Sequence, residues 1–206
     1  AKLGEVVVAC DSEAIAKAIT DAGGRAVLTD ADLPSGSDRI WQALGKIDPE
    51  GKHDIVINVQ GDMPTLDPSL IVQAAALLSD SDVDIATLAA EITDTYEKTD
   101  PAVVKPVIAF DGSGKKGRAL YFSRASIPAG EGALYHHIGI YAYRRKALAE
   151  FVGMAPSLLE KREKLEQLRA LEAGMRIDIA VVDAVPLGVD TPETLEKARK
   201  WHEQNK

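Results

Sequence analysis

The run Ile55-Val56-Ile57-Asn58-Val59-Gln60-Gly61-Asp62-Met63-Pro64 constrains the fold of this chain more than any other stretch. Its β-branched start reads as a buried strand, expected at the centre of a parallel sheet. The strand stops at Gly61, which permits a tight turn, and Pro64 prevents it from resuming. Asp62 is thereby delivered to the carboxyl edge of the sheet, where open α/β folds bind their ligands. A carboxylate there can hold a hard cation through oxygen, and magnesium is the usual choice beside phosphates. It can equally cap the next helix, because Asp is also a common turn and cap residue.

Strand-like and helix-like segments alternate on both sides of this run. Glu5 to Cys10 reads as a strand, and Asp11 or Ser12 then caps a helix with Ala14, Ile15, Ala18, Ile19 and Ala22 on one face. Gly23-Gly24 ends it before a second strand, Ala26 to Thr29, so the unit is β-α-β with parallel strands and a right-handed crossover. Ser35-Gly36-Ser37-Asp38-Arg39 opens the next helix. Its hydroxyls and free amides suit an anion, although Ser35 or Ser37 acting only as a cap is the simpler reading. Asp67-Pro68 begins a helix, Asp84 to Ala90 is a strand, and Val103–Phe110 with Arg118–Phe122 form a strand pair. The loop between that pair matches G-x-G-x-x-G from Gly112 to Gly117, but a strand follows where a dinucleotide site needs a helix. His136 and His137 are adjacent on a strand, point to opposite faces and cannot chelate one metal together. His53 and His202 lack ligand spacing, which argues against zinc. Ser157 to Arg169 is expected as one charged helix, Ile177 to Val182 as a strand, and Asp190 or Thr191 as the cap of a final helix.

Composition narrows the class. A chain of 206 residues suits a single domain, and no stretch approaches the ~18 apolar residues of a membrane span. The net charge of −8 argues against a nucleic-acid partner, which needs a concentrated basic face, and it leaves a phosphate-rich substrate in need of a local basic patch. The lone Cys10 precludes an internal disulfide, suits a reducing cytoplasm and reads as a packed core thiol.

Several motifs occur in a fixed order: Ser35 to Arg39, Asn58 to Pro64, Tyr121-Phe122-Ser123-Arg124-Ala125-Ser126-Ile127-Pro128, His137 to Arg144, Leu165 to Arg169, and Gly188 to Glu193. Together they resemble the 3-deoxy-manno-octulosonate (Kdo) cytidylyltransferases, or CMP-Kdo synthetases, over essentially the whole chain. The resemblance implies transfer of CMP from CTP to Kdo with magnesium as cofactor, releasing pyrophosphate, for lipopolysaccharide synthesis in the cytoplasm. It implies a mixed, mostly parallel, Rossmann-like sheet flanked by helices, of the nucleotide-diphospho-sugar transferase type. The whole of 1–206 would be one nucleotidyltransferase domain, working as a homodimer through an arm around 118–145. By the same resemblance Asp62 and Asp190 are the magnesium ligands. Gln60, Arg124, His137, Tyr143, Glu166 and Gln167 are the Kdo contacts, and Ser35, Ser37 and Arg39 lie near the nucleotide. Asp190 could instead orient or deprotonate the attacking hydroxyl, and these roles stay open.

The family pattern also begins with a strand and a basic loop that wraps the triphosphate, and neither has a counterpart in this sequence. The chain as it stands is therefore expected to bind CTP poorly and to leave sheet edges unpaired. Two other readings compete. A sialic acid synthetase of the same fold is disfavoured by the segments at His136–Arg145 and Leu165–Arg169. A non-catalytic sugar-binding module is disfavoured by the retention of Gln60, Asp62, Arg124 and Asp190.

Overall fold

The computed structural model describes residues 4–183 and 185–204. In chain order the elements are β1 (Val8–Cys10), α1 (Glu13–Asp21), β2 (Ala26–Leu28), α2 (Gly36–Ile47), β3 (Ile55–Asn58), α3 (Pro68–Leu77), β4 (Ile85–Glu91) and β5 (Lys105–Phe110). They continue with β6 (Lys116–Ser123), β7 (Tyr135–Arg144), α4 (Arg145–Val152), α5 (Leu158–Glu163), α6 (Gln167–Glu172), β8 (Ile177–Val182) and α7 (Pro192–Gln204). β1 and β2 form a parallel pair, and the other six strands form one sheet in the order β3-β7-β4-β8-β6-β5. The mixed sheet with flanking helices is the expected class. Within it β4 runs parallel to β8, in the separate pair β1 runs parallel to β2, and the remaining neighbours run antiparallel.

Strand β3 departs from expectation. It lies at the end of the six-stranded sheet and pairs antiparallel with β7, from Ile55 opposite Arg144 to Asn58 opposite Tyr141. A run of β-branched residues reports a demand for burial but carries no information about the direction of a neighbour. Ile55 and Val59, at the two ends of the run, are 42% and 41% exposed, as an edge position allows.

Alternation along β7 divides the core. Ile138, Ile140 and Ala142 face α3, where Ala74 and Leu77, with Leu88 of β4, complete a buried cluster. Tyr143 faces the opposite side with Leu148, Phe151 and Leu168 from α4 and α6. Each fully buried Leu, Ile or Phe stabilises by about 1.5–3 kcal/mol, so these layers fix β7 firmly against both helix sets.

The single helix expected from Ser157 to Arg169 is two short ones. Lys164 sits between α5 and α6 with φ of 56°, in the left-handed region. Arg169 returns to Glu160 with two hydrogen bonds, Nε to Oε2 at 2.9 Å and Nη2 to Oε1 at 2.6 Å. Residues nine apart on one continuous helix lie on opposite faces, so this pair requires the break. The corner places Glu166 and Gln167 at the start of α6, next to the end of β6.

Candidate active site

Asp62 and Asp190 are far apart in sequence and are brought together by the backbone. The amide of Val189 donates to the carbonyl of Asp62 at 2.7 Å. The cap readings do not describe either carboxylate. Helix α3 is capped by Asp67, whose side chain accepts from the Ser69 amide at 2.8 Å. The turn into α7 is closed by Thr191 and Thr194, which exchange amide-to-hydroxyl bonds at 3.2 and 3.0 Å. Both Asp62 and Asp190 are exposed, and neither side chain has a hydrogen bond or ion pair among the described residues. Gly61, beside them, adopts no left-handed φ, and a Cβ built on it would meet nothing within 4 Å. The backbone therefore places no steric demand for glycine there, and the open space would admit a close ligand.

Among the described residues no three His, Cys, Asp or Glu side chains gather as a metal cage. Two free carboxylates are the donor set that suits magnesium, which takes one or two carboxylates and fills its octahedron with water and phosphate oxygens.

A line of polar and aromatic side chains leads away from this edge along one face of β7. The Gln60 side chain lies over Gly139, 3.8 Å from where a Cβ would sit. His137 packs against Tyr141 in a tilted pair with ring centroids 5.4 Å apart, and Tyr141 stacks on Tyr143 at 5.7 Å. Glu166 Oε2 accepts from the Ser37 hydroxyl at 3.0 Å. Glu166 Oε1 is buried without a partner. Arg169 is the nearest cation, with Nη2 at 3.9 Å from this oxygen, too far for a hydrogen bond. A buried acceptor left empty is costly, so Oε1 marks where a ligand donor belongs.

Arg124 adjoins the same corner. Its Nε donates to Glu163 O at 3.1 Å, Nη1 to Pro101 O at 3.0 Å and Nη2 to Lys164 O at 3.4 Å. A guanidinium has five N–H donors, so two remain for a ligand. Of the predicted residues, Arg124 and Glu166 share the Lys164 corner, with Gln167 beside Glu166, while Gln60 and His137 lie along β7. Tyr143 is only 3% exposed, and burial holds its phenol well above the usual range. Tyr141, half-buried between His137 and Tyr143, is the tyrosine of the pair with open surface, and the motif reading passed over it.

Ser35 and Arg39 have other partners. Ser35 caps α2, accepting from the Asp38 amide at 3.2 Å and donating to its carboxylate at 2.6 Å. Arg39 binds Thr29 Oγ1 at 2.6 Å, Asp30 O at 3.3 Å and Asp11 at 2.9 Å, at the carboxyl ends of β1 and β2. Lys105 and Glu163 escaped sequence reasoning. Lys105 is fully buried, and its ammonium donates to Asp100 O at 2.6 Å and Arg124 O at 3.2 Å. Burial lowers its pKa, opposed by Asp100 and Glu97. Glu163 accepts from the Ser123 hydroxyl at 2.9 Å and the Arg124 amide at 3.2 Å. The one available signal was a lone lysine inside the apolar run Val103 to Ile108.

Comparison with known proteins bears on this arrangement. A family described as Cytidylyltransferase matches residues 1–177. A 3-deoxy-manno-octulosonate cytidylyltransferase of Parvibaculum lavamentivorans is 63% identical over 97% of this chain and 77% of its own length. One from Rhodospirillum centenum is 60% identical over the same shares. A solved structure of a CMP:2-keto-3-deoxy-manno-octonic acid synthetase complexed with CTP aligns with a TM-score of 0.89 and 36% identity, covering 100% of this chain and 83% of the other. A 4-diphosphocytidyl-2C-methyl-D-erythritol synthase from Anaerococcus prevotii aligns at 0.61 with 13% identity, over 97% of this chain and 81% of the other, and shares the fold alone.

Proposed function

Since this chain belongs to the 3-deoxy-manno-octulosonate cytidylyltransferase family, we propose that it transfers CMP from CTP to Kdo and releases pyrophosphate. The observation that carries this reading is the 2.7 Å bond between Val189 and Asp62, which joins the two segments that bear Asp62 and Asp190, carboxylates with no side-chain partner among the described residues. Asp62 and Asp190 would hold a magnesium ion against the triphosphate. Such an ion, when bound, neutralises phosphate charge and polarises the α-phosphorus.

The remaining chemistry belongs to the chain. Kdo is a carboxylated polyol, so its binding calls for a guanidinium and several hydrogen-bonding groups. The two free N–H groups of Arg124 suit its carboxylate, and Glu166 Oε1 suits one of its hydroxyls. The anomeric hydroxyl attacks the α-phosphorus in line, the bond to the pyrophosphate oxygen breaks, and the hydroxyl proton passes to solvent. Alignment and electrostatics carry such a step, with no covalent enzyme intermediate. Ser37 keeps Glu166 in place, and Gln60 lies between the carboxylates and β7.

A homodimer and a cytoplasmic location complete the proposal. Leu120, 56% exposed on β6, lies in the 118–145 arm and supports an apolar contact there. Among the described residues no helix is long and apolar enough to cross a membrane. The test is pyrophosphate release by the full-length protein with CTP, Kdo and magnesium, each omitted in turn. Release that requires all three supports the reading. Release without Kdo, or none with a folded protein, overturns it.

A further inference from the structure

Thr87 is fully buried on β4, where the pairing with β7 slips. Thr87 is opposite Tyr141 but Leu88 is opposite Ile138, so β7 carries two extra residues, Gly139 and Ile140. This bulge turns two carbonyls and one imidazole toward a single hydroxyl. Thr87 Oγ1 is 2.8 Å from Ile140 O, 3.1 Å from Ile138 O and 3.0 Å from His137 Nε2.

Proton counting decides who donates. Carbonyl oxygens only accept, and a threonine hydroxyl has one proton. If His137 Nε2 were an acceptor, that proton would serve it, and both carbonyls would face the lone pairs of Oγ1. If Nε2 carries the proton, it donates to Oγ1, and the hydroxyl proton serves the carbonyls. Only the second arrangement satisfies the set. The ring is neutral, because burial first and the neighbouring His136 second push its pKa down to about 3. Phe122 and Tyr141 cover the ring, with centroids at 5.1 and 5.4 Å, and its own amide is tied to Val104 O at 2.9 Å. A neutral ring protonated at Nε2 has a lone pair at Nδ1, which has no hydrogen-bond partner among the described residues.

We infer that Thr87 is a positioning residue that locks His137 in the Nε2–H tautomer, so that Nδ1 accepts a hydrogen bond from a hydroxyl of the sugar-acid substrate. The choice of substrate rests on the function proposed above. His137 in this state does not pair with the substrate carboxylate, which falls to Arg124. It is also too weak a base to take the attacking proton near neutral pH.

The tautomer can be read on the full-length wild-type protein without substrate, from two-bond proton–nitrogen correlations of 15N-labelled histidine at neutral pH. The expected pattern for His137 is Nε2–H, and an Nδ1–H or doubly protonated ring would overturn the inference. Thr87→Val should then populate both tautomers. It should raise KM for the sugar acid by about tenfold, with kcat and KM for CTP within about twofold. Thr87→Ser should restore both readouts. Equal loss toward CTP, or failure of serine to rescue a folded variant, would reduce Thr87 to a packing role and overturn the inference. Absence of turnover with Kdo beside an intact Nε2–H spectrum would overturn the functional reading and the substrate half of this inference, while leaving the tautomer assigned.

Discussion

Glu166 and Asp62 both belong to the candidate site and both are carboxylates, yet the fold treats them in opposite ways. Glu166 is held by Ser37, flanked by Tyr141 and Tyr143, and linked through the Lys164 corner to Arg124. Asp62 and Asp190 are fixed only through their backbones, and their side chains have no partner among the described residues. One region is assembled before any ligand arrives, as recognition of a polyol requires. The other leaves its charges uncommitted, as a cation shared with phosphates requires. The contrast separates the work of holding a sugar from that of managing phosphate charge.

Substitutions at the uncommitted end should have the largest effect on rate and the smallest on stability. Asp62→Asn and Asp190→Asn are each expected to lower turnover by at least ~100-fold, because charge stabilisation at the reacting centre is lost. Neither should move the thermal midpoint measurably. A destabilised Asp62→Asn protein would show that the carboxylate has a structural partner after all. At the assembled end the order reverses. Glu160→Gln removes one member of the buried pair that closes the α5–α6 corner, where the two side chains are 13% and 8% exposed. It should cost about 3 kcal/mol in denaturant titrations, with the loss of sugar-acid binding following from a loosened corner. A stability loss below about 1 kcal/mol would detach that corner from the comparison.

Arg124→Lys sharpens the division further. Lysine cannot present a planar fork, so KM for Kdo should rise by about tenfold or more while CTP affinity stays unchanged. A fall in CTP affinity would move Arg124 to the phosphate side. The smallest expected effect is on pH dependence. Burial lowers the pKa of His137 from 6.5 to about 3, so the unfolded chain takes up a proton that the folded chain refuses. Its contribution to stability is complete above the unfolded value of 6.5 and is lost as pH falls toward about 3. His137→Gln should therefore flatten the acid limb of the stability profile by about one proton. An unchanged limb would mean that the ring is solvated.

The sequence displayed the two ends of the site unequally. Asp62 was legible because a β-branched run, a glycine and a proline leave a carboxylate nowhere to go but the sheet edge. Asp190 was legible only through its motif, since Asp-Thr-Pro also reads as a helix start. Nothing in either segment announced the Val189–Asp62 bond that unites them, because a backbone contact across the chain leaves no residue-type signature. The strand order around β3 was hidden for a related reason, as apolar runs do not encode neighbour direction. The break at Lys164 was masked by a helical pattern of leucines, and it became necessary only once Arg169 had to meet Glu160. Lys105 showed only as a lone lysine in an apolar run and Thr87 not at all, because their roles come from carbonyls supplied by distant turns and by a bulge. The cap of α2 was legible as Ser35 or Ser37, since a cap depends only on its own helix, and Ser35 is the one that serves.

The most direct test of the division is manganese binding followed by electron paramagnetic resonance on the full-length protein, with and without CTP, in the wild type and in Asp62→Asn. Two carboxylates alone make a weak site that phosphate oxygens complete. Manganese should therefore bind tightly only when CTP is present, and Asp62→Asn should abolish that tight binding. Equal binding without CTP, or binding unaffected by Asp62→Asn, would contradict the account.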